Sequence, residues 1–323
     1  MPGKLPERWL PLSEFQTWDW TPPETVIAPW LPVGGLALLY GAGGVGKTYL
    51  SLACAMSIAE GRSRVPRMHV PRPRRVLYVD GEMQPSQFSE RFTKLSRAAP
   101  FDGKAAERFA ILTHAAFRDG MPDLSQPGRG QDLVWSAAQE HRADVIFLDN
   151  VSAIIQTGSP NDEEAMRPFL LWLLKFRRAG LSCVVVHHTG HRKSDEDGPA
   201  HARGTSSFND KVDSAIWVKG ERGISKECIP VRLVFTKHRF FVPSNEKGEL
   251  QSCCFDEADT RCWFREGGAD PEAPEWLSRA RELHDKGWSN RRIAADEPGM
   301  PSYVTIGKWL KEPTLAEMEG KMA

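Results

Sequence analysis

The run Gly41-Ala42-Gly43-Gly44-Val45-Gly46-Lys47-Thr48 constrains this chain more than any other stretch. It has the spacing G-x-x-x-x-G-K-[ST], in which glycines let the backbone turn its N–H groups toward a phosphate chain. The apolar run from Leu36 to Tyr40 precedes it and predicts a buried strand, and Tyr49 to Glu60 predicts a helix stopped by Gly61. Strand, glycine loop and helix is the context in which such a loop holds phosphates, because the helix N-terminus adds partial positive charge there. Lys47 is then expected to reach the β- and γ-phosphates and the Thr48 hydroxyl to ligate Mg²⁺, which makes ATP with Mg²⁺ the expected ligand.

A chain of 323 residues has room for one large domain or two. Lys plus Arg and Asp plus Glu number 42 each, so the formal net charge is zero and any nucleic acid contact must come from a local patch. The six cysteines, at 54, 183, 228, 253, 254 and 262, form no CxxC pair. Together with a nucleotide loop they point to a reducing, cytoplasmic setting. No apolar run reaches membrane-spanning length, so no membrane partner is expected.

Alternating apolar runs and helical patterns predict an α/β fold. Residues 1–32 form a Pro/Trp-rich arm carrying Trp9, Trp18, Trp20 and Trp30, expected to pack either on its own domain or on a neighbouring subunit. Residues 33–266 form the core, and 267–274 an acidic Gly/Pro linker. The segment from Gly61 to Arg75 holds six arginines and reads as a solvated loop. Strands are expected at Arg75 to Asp80, Phe109 to Thr113, Ala143 to Asp149, Leu181 to His188, Ser214 to Val218 and Cys228 to Thr236. Helices are expected from Pro85 to about Arg97, Gln131 to His141 and Glu163 to Ala179.

Two acids stand just where strands end. Asp149 closes an apolar run, the position from which a carboxylate binds Mg²⁺ directly or through water. Glu82 follows the strand ending at Asp80, on the edge where α/β proteins bind ligands. Four histidines fall between 187 and 201, but no Cys or acid lies among them at zinc-like spacing, so no zinc site is predicted. Residues 275–312 read as three short helices with a turn, a helix-turn-helix-like module before the tail 313–323. This module carries seven Lys/Arg and six Asp/Glu, a balance that barely favours duplex DNA.

The order of GAGGVGKT, VLYVDGE, VIFLD, VVVHH, ARGTSS and FTKHR resembles the RecA-like ATPases, most closely the RepA-type hexameric helicases of plasmids. The resemblance spans about Leu31 to Phe241, and the C-terminal module departs from it. It implies a twisted, mainly parallel sheet flanked by helices, with ATP bound between neighbouring subunits of a homo-hexamer and single-stranded DNA in the ring. It implies that Glu82 holds the attacking water, His188 senses the γ-phosphate, and Arg203, Lys237 and Arg239 act on the next subunit's site. Two other functions fit the same residues: an ATP-switched DNA-binding regulator or loader, and a recombination ATPase that coats single strands.

Overall fold

The computed structural model describes residues 8–18, 23–156, 163–188, 211–220, 228–239, 249–256, 263–266, 279–280, 282–284, 286–297, 300–303 and 306. The chain enters through the short helix α1 (Leu12–Phe15) and an antiparallel pair, β1 (Thr25–Ile27) with β2 (Leu31–Pro32). Trp9 and Leu12 stand in solvent, whereas Val26, Ile27, Trp30 and Leu31 are buried in the main core. The Ser214 hydroxyl donates to the Trp30 carbonyl at 2.8 Å. Thus the last part of the segment read as an arm, from Thr25 to Pro32, packs against the body. Its apolar residues hold it on the chain's own core, one of the two packings expected for the arm.

Among the described residues, the body is a nine-stranded sheet. Six strands run parallel, in the spatial order β8 (Ser214–Gly220), β3 (Leu36–Gly41), β7 (Ser182–His188), β6 (Val145–Asp149), β4 (Val76–Asp80) and β5 (Phe109–Thr113). Beyond β8 the sheet continues antiparallel through β9 (Cys228–His238), β10 (Glu249–Asp256) and β11 (Trp263–Glu266). Every residue of β3, β4 and β6 is buried. Unbroken apolar runs of this kind mark strands covered on both faces.

Successive side chains on a strand point to opposite faces, and the two cores follow that period. Ala37, Leu39, Val76, Tyr78, Val145 and Phe147 face one layer, which includes α2 (Lys47–Glu60) and α3 (Pro85–Ala98). Leu36, Leu38, Leu77, Ile146 and Leu148 face the other, which includes α5 (Arg129–Glu140) and α7 (Glu163–Arg178). The expected RecA-like architecture, a mainly parallel sheet with helices on both faces, is therefore what the chain forms. Helix α2 is buried almost all round, consistent with its run of alanines and small residues against the sheet.

The arginines of the 61–75 segment are largely engaged by the chain itself. Arg64 forms a two-pronged pair with Glu60, Arg72 another with Glu24, and Arg75 donates to the His141 carbonyl. Among the described C-terminal residues, Ala280, Leu283, Ile293 and Ile306 form a separate small apolar cluster. The Ser289 hydroxyl caps the helix Asn290–Asp296 by accepting the Arg292 N–H at 3.3 Å.

Phe147 lies at the centre of the first layer, fully buried and stacked on Tyr78 at 5.7 Å between ring centroids. Phe147→Ala should cost about 3–5 kcal/mol of stability in urea unfolding, since it leaves a cavity in a layer fixed on both sides. A loss below about 1 kcal/mol would contradict this packing.

Candidate active site

The carboxyl ends of the parallel strands form one edge of the sheet, and the polar side chains gather there. Gly41 ends β3 where the backbone of β8 passes close by. A Cβ added at Gly41 would meet the Val218 carbonyl oxygen at 2.5 Å. The loop then turns through Gly44 and Gly46 at φ of 75° and 91°, the left-handed region that favours glycine. Ala42, Gly43 and Gly44 are exposed, while Val45 is buried in the core and anchors the loop. Among the described residues, chain neighbours aside, no atom lies within 4 Å of a Cβ added at Gly43, Gly44 or Gly46.

Lys47 opens α2 and is buried; its Nζ donates to the Ala42 carbonyl at 2.7 Å. Burial lowers its pKa to about 8, although the Asp149 and Glu82 carboxylates pull the other way. Asp149 at the end of β6 is also buried, and burial raises its pKa to about 6. Hydrogen bonds from Tyr78 and Thr48 oppose that rise. The Tyr78 hydroxyl donates to Asp149 Oδ2 at 2.6 Å, which leaves the Ser51 hydroxyl, 2.8 Å away, to donate to Tyr78. Ser51 lies on α2 and Tyr78 on β4, so this chain ties the glycine-loop helix to the strand end carrying Asp149.

The two residues expected to hold magnesium, Thr48 and Asp149, are thus within hydrogen-bond contact of each other. A hydroxyl and a carboxylate so placed, beside the glycine loop, fit a magnesium nucleotide. Glu82 follows β4, held by a turn in which Asp80 accepts the Met83 N–H at 3.1 Å and the Thr113 hydroxyl at 3.1 Å. Glu82 is exposed toward the site and accepts a hydrogen bond from Asn150 Nδ2. His188 ends β7, with Nδ1 3.2 Å from Lys47 Nζ and Nε2 3.3 Å from Asn150 Nδ2. His187 is buried within the sheet.

Lys47, Thr48, Glu82, Asp149 and His188 are therefore brought together in one chain. Lys237 and Arg239 are not. His238 pairs with Ser214, which pairs with Ala37 near the amino end of β3, whereas Gly41 at its carboxyl end pairs with Val218. Four residues of strand separate the two levels, on the order of 13 Å. Asp213 holds that far edge. It accepts the Leu36 N–H at 2.9 Å, pairs with Arg177, and lies 3.6 Å from Arg239. Arg203 lies outside the described residues. Sequence reasoning did not single out Asn150, Tyr78, Ser51 or Asp80. Only the position of Asp80 at a strand end could have flagged one of them.

Glycine loop, buried lysine and strand-end carboxylate on a sheet of this kind define a P-loop nucleotide-binding protein. The chain belongs to the AAA domain family, whose model matches residues 5–194. That match, with the glycine loop, makes it a P-loop protein of the ATPase type. Among solved structures it is similar to a KaiC-like protein from the hyperthermophilic archaeon Pyrococcus horikoshii. The two are 13% identical over 75% of this chain and 95% of that one, with a TM-score of 0.48. No curated protein matches the chain in sequence. Among the described residues, no helix is long and apolar enough to cross a membrane.

The buried charge of Asp149 sets a testable cost. Its raised pKa means that the carboxylate destabilises the unliganded fold above about pH 6, and that the penalty fades as pH falls toward the ordinary aspartate value. Asp149→Asn keeps an acceptor for Tyr78 and removes the charge. It should therefore stabilise the unliganded protein at pH 7.5 by about 1–3 kcal/mol, with the gain shrinking toward pH 4. Equal or lower stability of the variant at pH 7.5 would contradict the assignment.

Proposed function

We propose that this protein hydrolyses ATP and uses it as a motor on DNA, as a RepA-like hexameric helicase in the replication of a plasmid, phage or mobile element. The observation that carries the reading is the convergence of Lys47, Thr48, Glu82, Asp149 and His188 at one sheet edge. ATP hydrolysis rests on positioning and charge stabilisation, and each of these side chains has one part of that task. Lys47 binds the β- and γ-phosphates with its ammonium. Thr48 and Asp149 would hold Mg²⁺, which would supply charge neutralisation along the phosphates. Glu82 accepts a proton from, and orients, the attacking water. His188 donates to a γ-phosphate oxygen.

A ring is supported by the place of Lys237 and Arg239. Lys237 and Arg239 sit at the far edge of the sheet from their own glycine loop, so a role on phosphates requires a neighbouring subunit. With Arg203 they would complete that neighbour's site, where a guanidinium suits the spread charge of a transferring phosphoryl group. The segments following Asp149 and His188, with His191, Arg192 and Lys193, would line the channel for single-stranded DNA. Residues 275–312 would contact duplex DNA.

Strand displacement on a forked duplex tests the reading. The wild-type protein should separate the strands with Mg·ATP, and Lys47→Ala should lose both ATPase activity and unwinding. Wild-type ATPase activity without any strand separation would sink the helicase reading and leave an ATP-driven switch.

A further inference from the structure

Asn150 directly follows Asp149 and is buried at the start of α6 (Val151–Ile154). Its Oδ1 accepts the Ala153 N–H at 3.1 Å, the helix cap at that end. That bond fixes the orientation of the amide, because a flipped amide would set Nδ2 against a backbone donor. With the oxygen committed, Nδ2 points both its hydrogens into the site. One is given to Glu82 Oε2, and His188 Nε2 lies 3.3 Å away for the other.

The His188 ring stands between two donors. Asn150 faces Nε2, and Lys47 Nζ lies 3.2 Å from Nδ1. A neutral imidazole carries one N–H and one acceptor nitrogen, and an ammonium can only donate. With Lys47 charged, neither tautomer satisfies both neighbours. A proton on Nε2 faces the Asn150 amide, and a proton on Nδ1 faces Lys47. Phosphate relieves the conflict. Once Lys47 turns from the ring to phosphate oxygens, Nδ1 can carry the proton toward an acceptor while Nε2 accepts from Asn150.

We propose that Asn150 is a positioning residue for hydrolysis: one amide ties the Glu82 carboxylate to His188 and selects the Nδ1–H tautomer, so that the presence of a γ-phosphate is felt at the residue that holds the water. The inference rests on the roles given above to Glu82 and His188. It adds a link between them that lies outside the glycine loop and the metal ligands. When the γ-phosphate leaves, His188 again meets two donors, and the same amide is the shared partner of His188 and Glu82.

Two variants test the link. Asn150→Asp keeps an oxygen for the Ala153 cap but replaces the donor with an acceptor facing Glu82 and His188. Asn150→Ser keeps a capping hydroxyl too short to reach Glu82. Both should lower kcat by about 10–100-fold while the Kd for a non-hydrolysable ATP analogue stays within about threefold, the signature of lost positioning. The independent readout is the ¹⁵N spectrum of histidine-labelled protein with Mg²⁺ and the analogue, the His188 signals identified by their loss in His188→Gln. Wild type should show the Nδ1–H tautomer and Asn150→Asp the Nε2–H tautomer. An unchanged tautomer in Asn150→Asp, or an Nε2–H tautomer in wild type, would overturn the proposal. So would parallel losses of affinity and kcat in both variants. If wild type bound the analogue and hydrolysed no ATP, the functional reading would fall, and the two spectra would still decide whether Asn150 sets the tautomer.

Discussion

Burial of the charges on Lys47 and Asp149 at one edge of a fully covered sheet is the interaction on which the rest of this structure depends. A sheet with helices on both faces leaves little room for polar side chains along its central strands. Such groups are accommodated at the strand ends, where backbone pairing stops and loops diverge. Here both charged groups are held out of water: burial lowers the lysine to about 8 and raises the aspartate to about 6. Each weakens the other's penalty, yet neither is fully compensated within the chain. A phosphate group with its metal would supply the missing counter-charges to both.

The surrounding fold can be understood as the means of holding that arrangement still. Val45 is buried beneath the glycine loop, and β8 presses against Gly41. The Ser51–Tyr78–Asp149 chain crosses from the glycine-loop helix through β4 to β6. At the opposite edge, Asp213 gathers the first N–H of β3 with Arg177 and Arg239. The strand that ends in the phosphate loop is thus pinned at both ends. Rigidity of this kind keeps groups within the tolerance that catalysis by positioning demands.

Much of this was legible in the sequence because the same physics writes both. Largely apolar runs marked the parallel strands, since few polar residues are accommodated between two covered faces. The glycine loop was legible from its spacing, Glu82 and Asp149 from their place at strand ends, and His188 through the family resemblance. Asn150 was not, because an asparagine after a strand reads as an ordinary helix cap and is one. Tyr78 reads as a core aromatic in VLYVD, and only the pairing of β4 with β6 brings its hydroxyl to Asp149. The place of Lys237 and Arg239 depended on the antiparallel register of β9, a long-range pairing that local pattern does not encode. Val26, Ile27, Trp30 and Leu31 were masked by the prolines around them, although their burial is what joins the entering chain to the core.

The central claim is that this edge of the sheet activates water against a bound phosphate chain through Glu82. Single-turnover hydrolysis by Glu82→Gln, measured beside equilibrium binding of a fluorescent ATP analogue, tests it most directly. The amide keeps the shape of the side chain and loses the charge that accepts the proton, so affinity should hold while the hydrolysis rate falls by about 10²–10⁴-fold. Turnover at the wild-type rate with weakened ATP binding would contradict the account, and would make Glu82 a structural group.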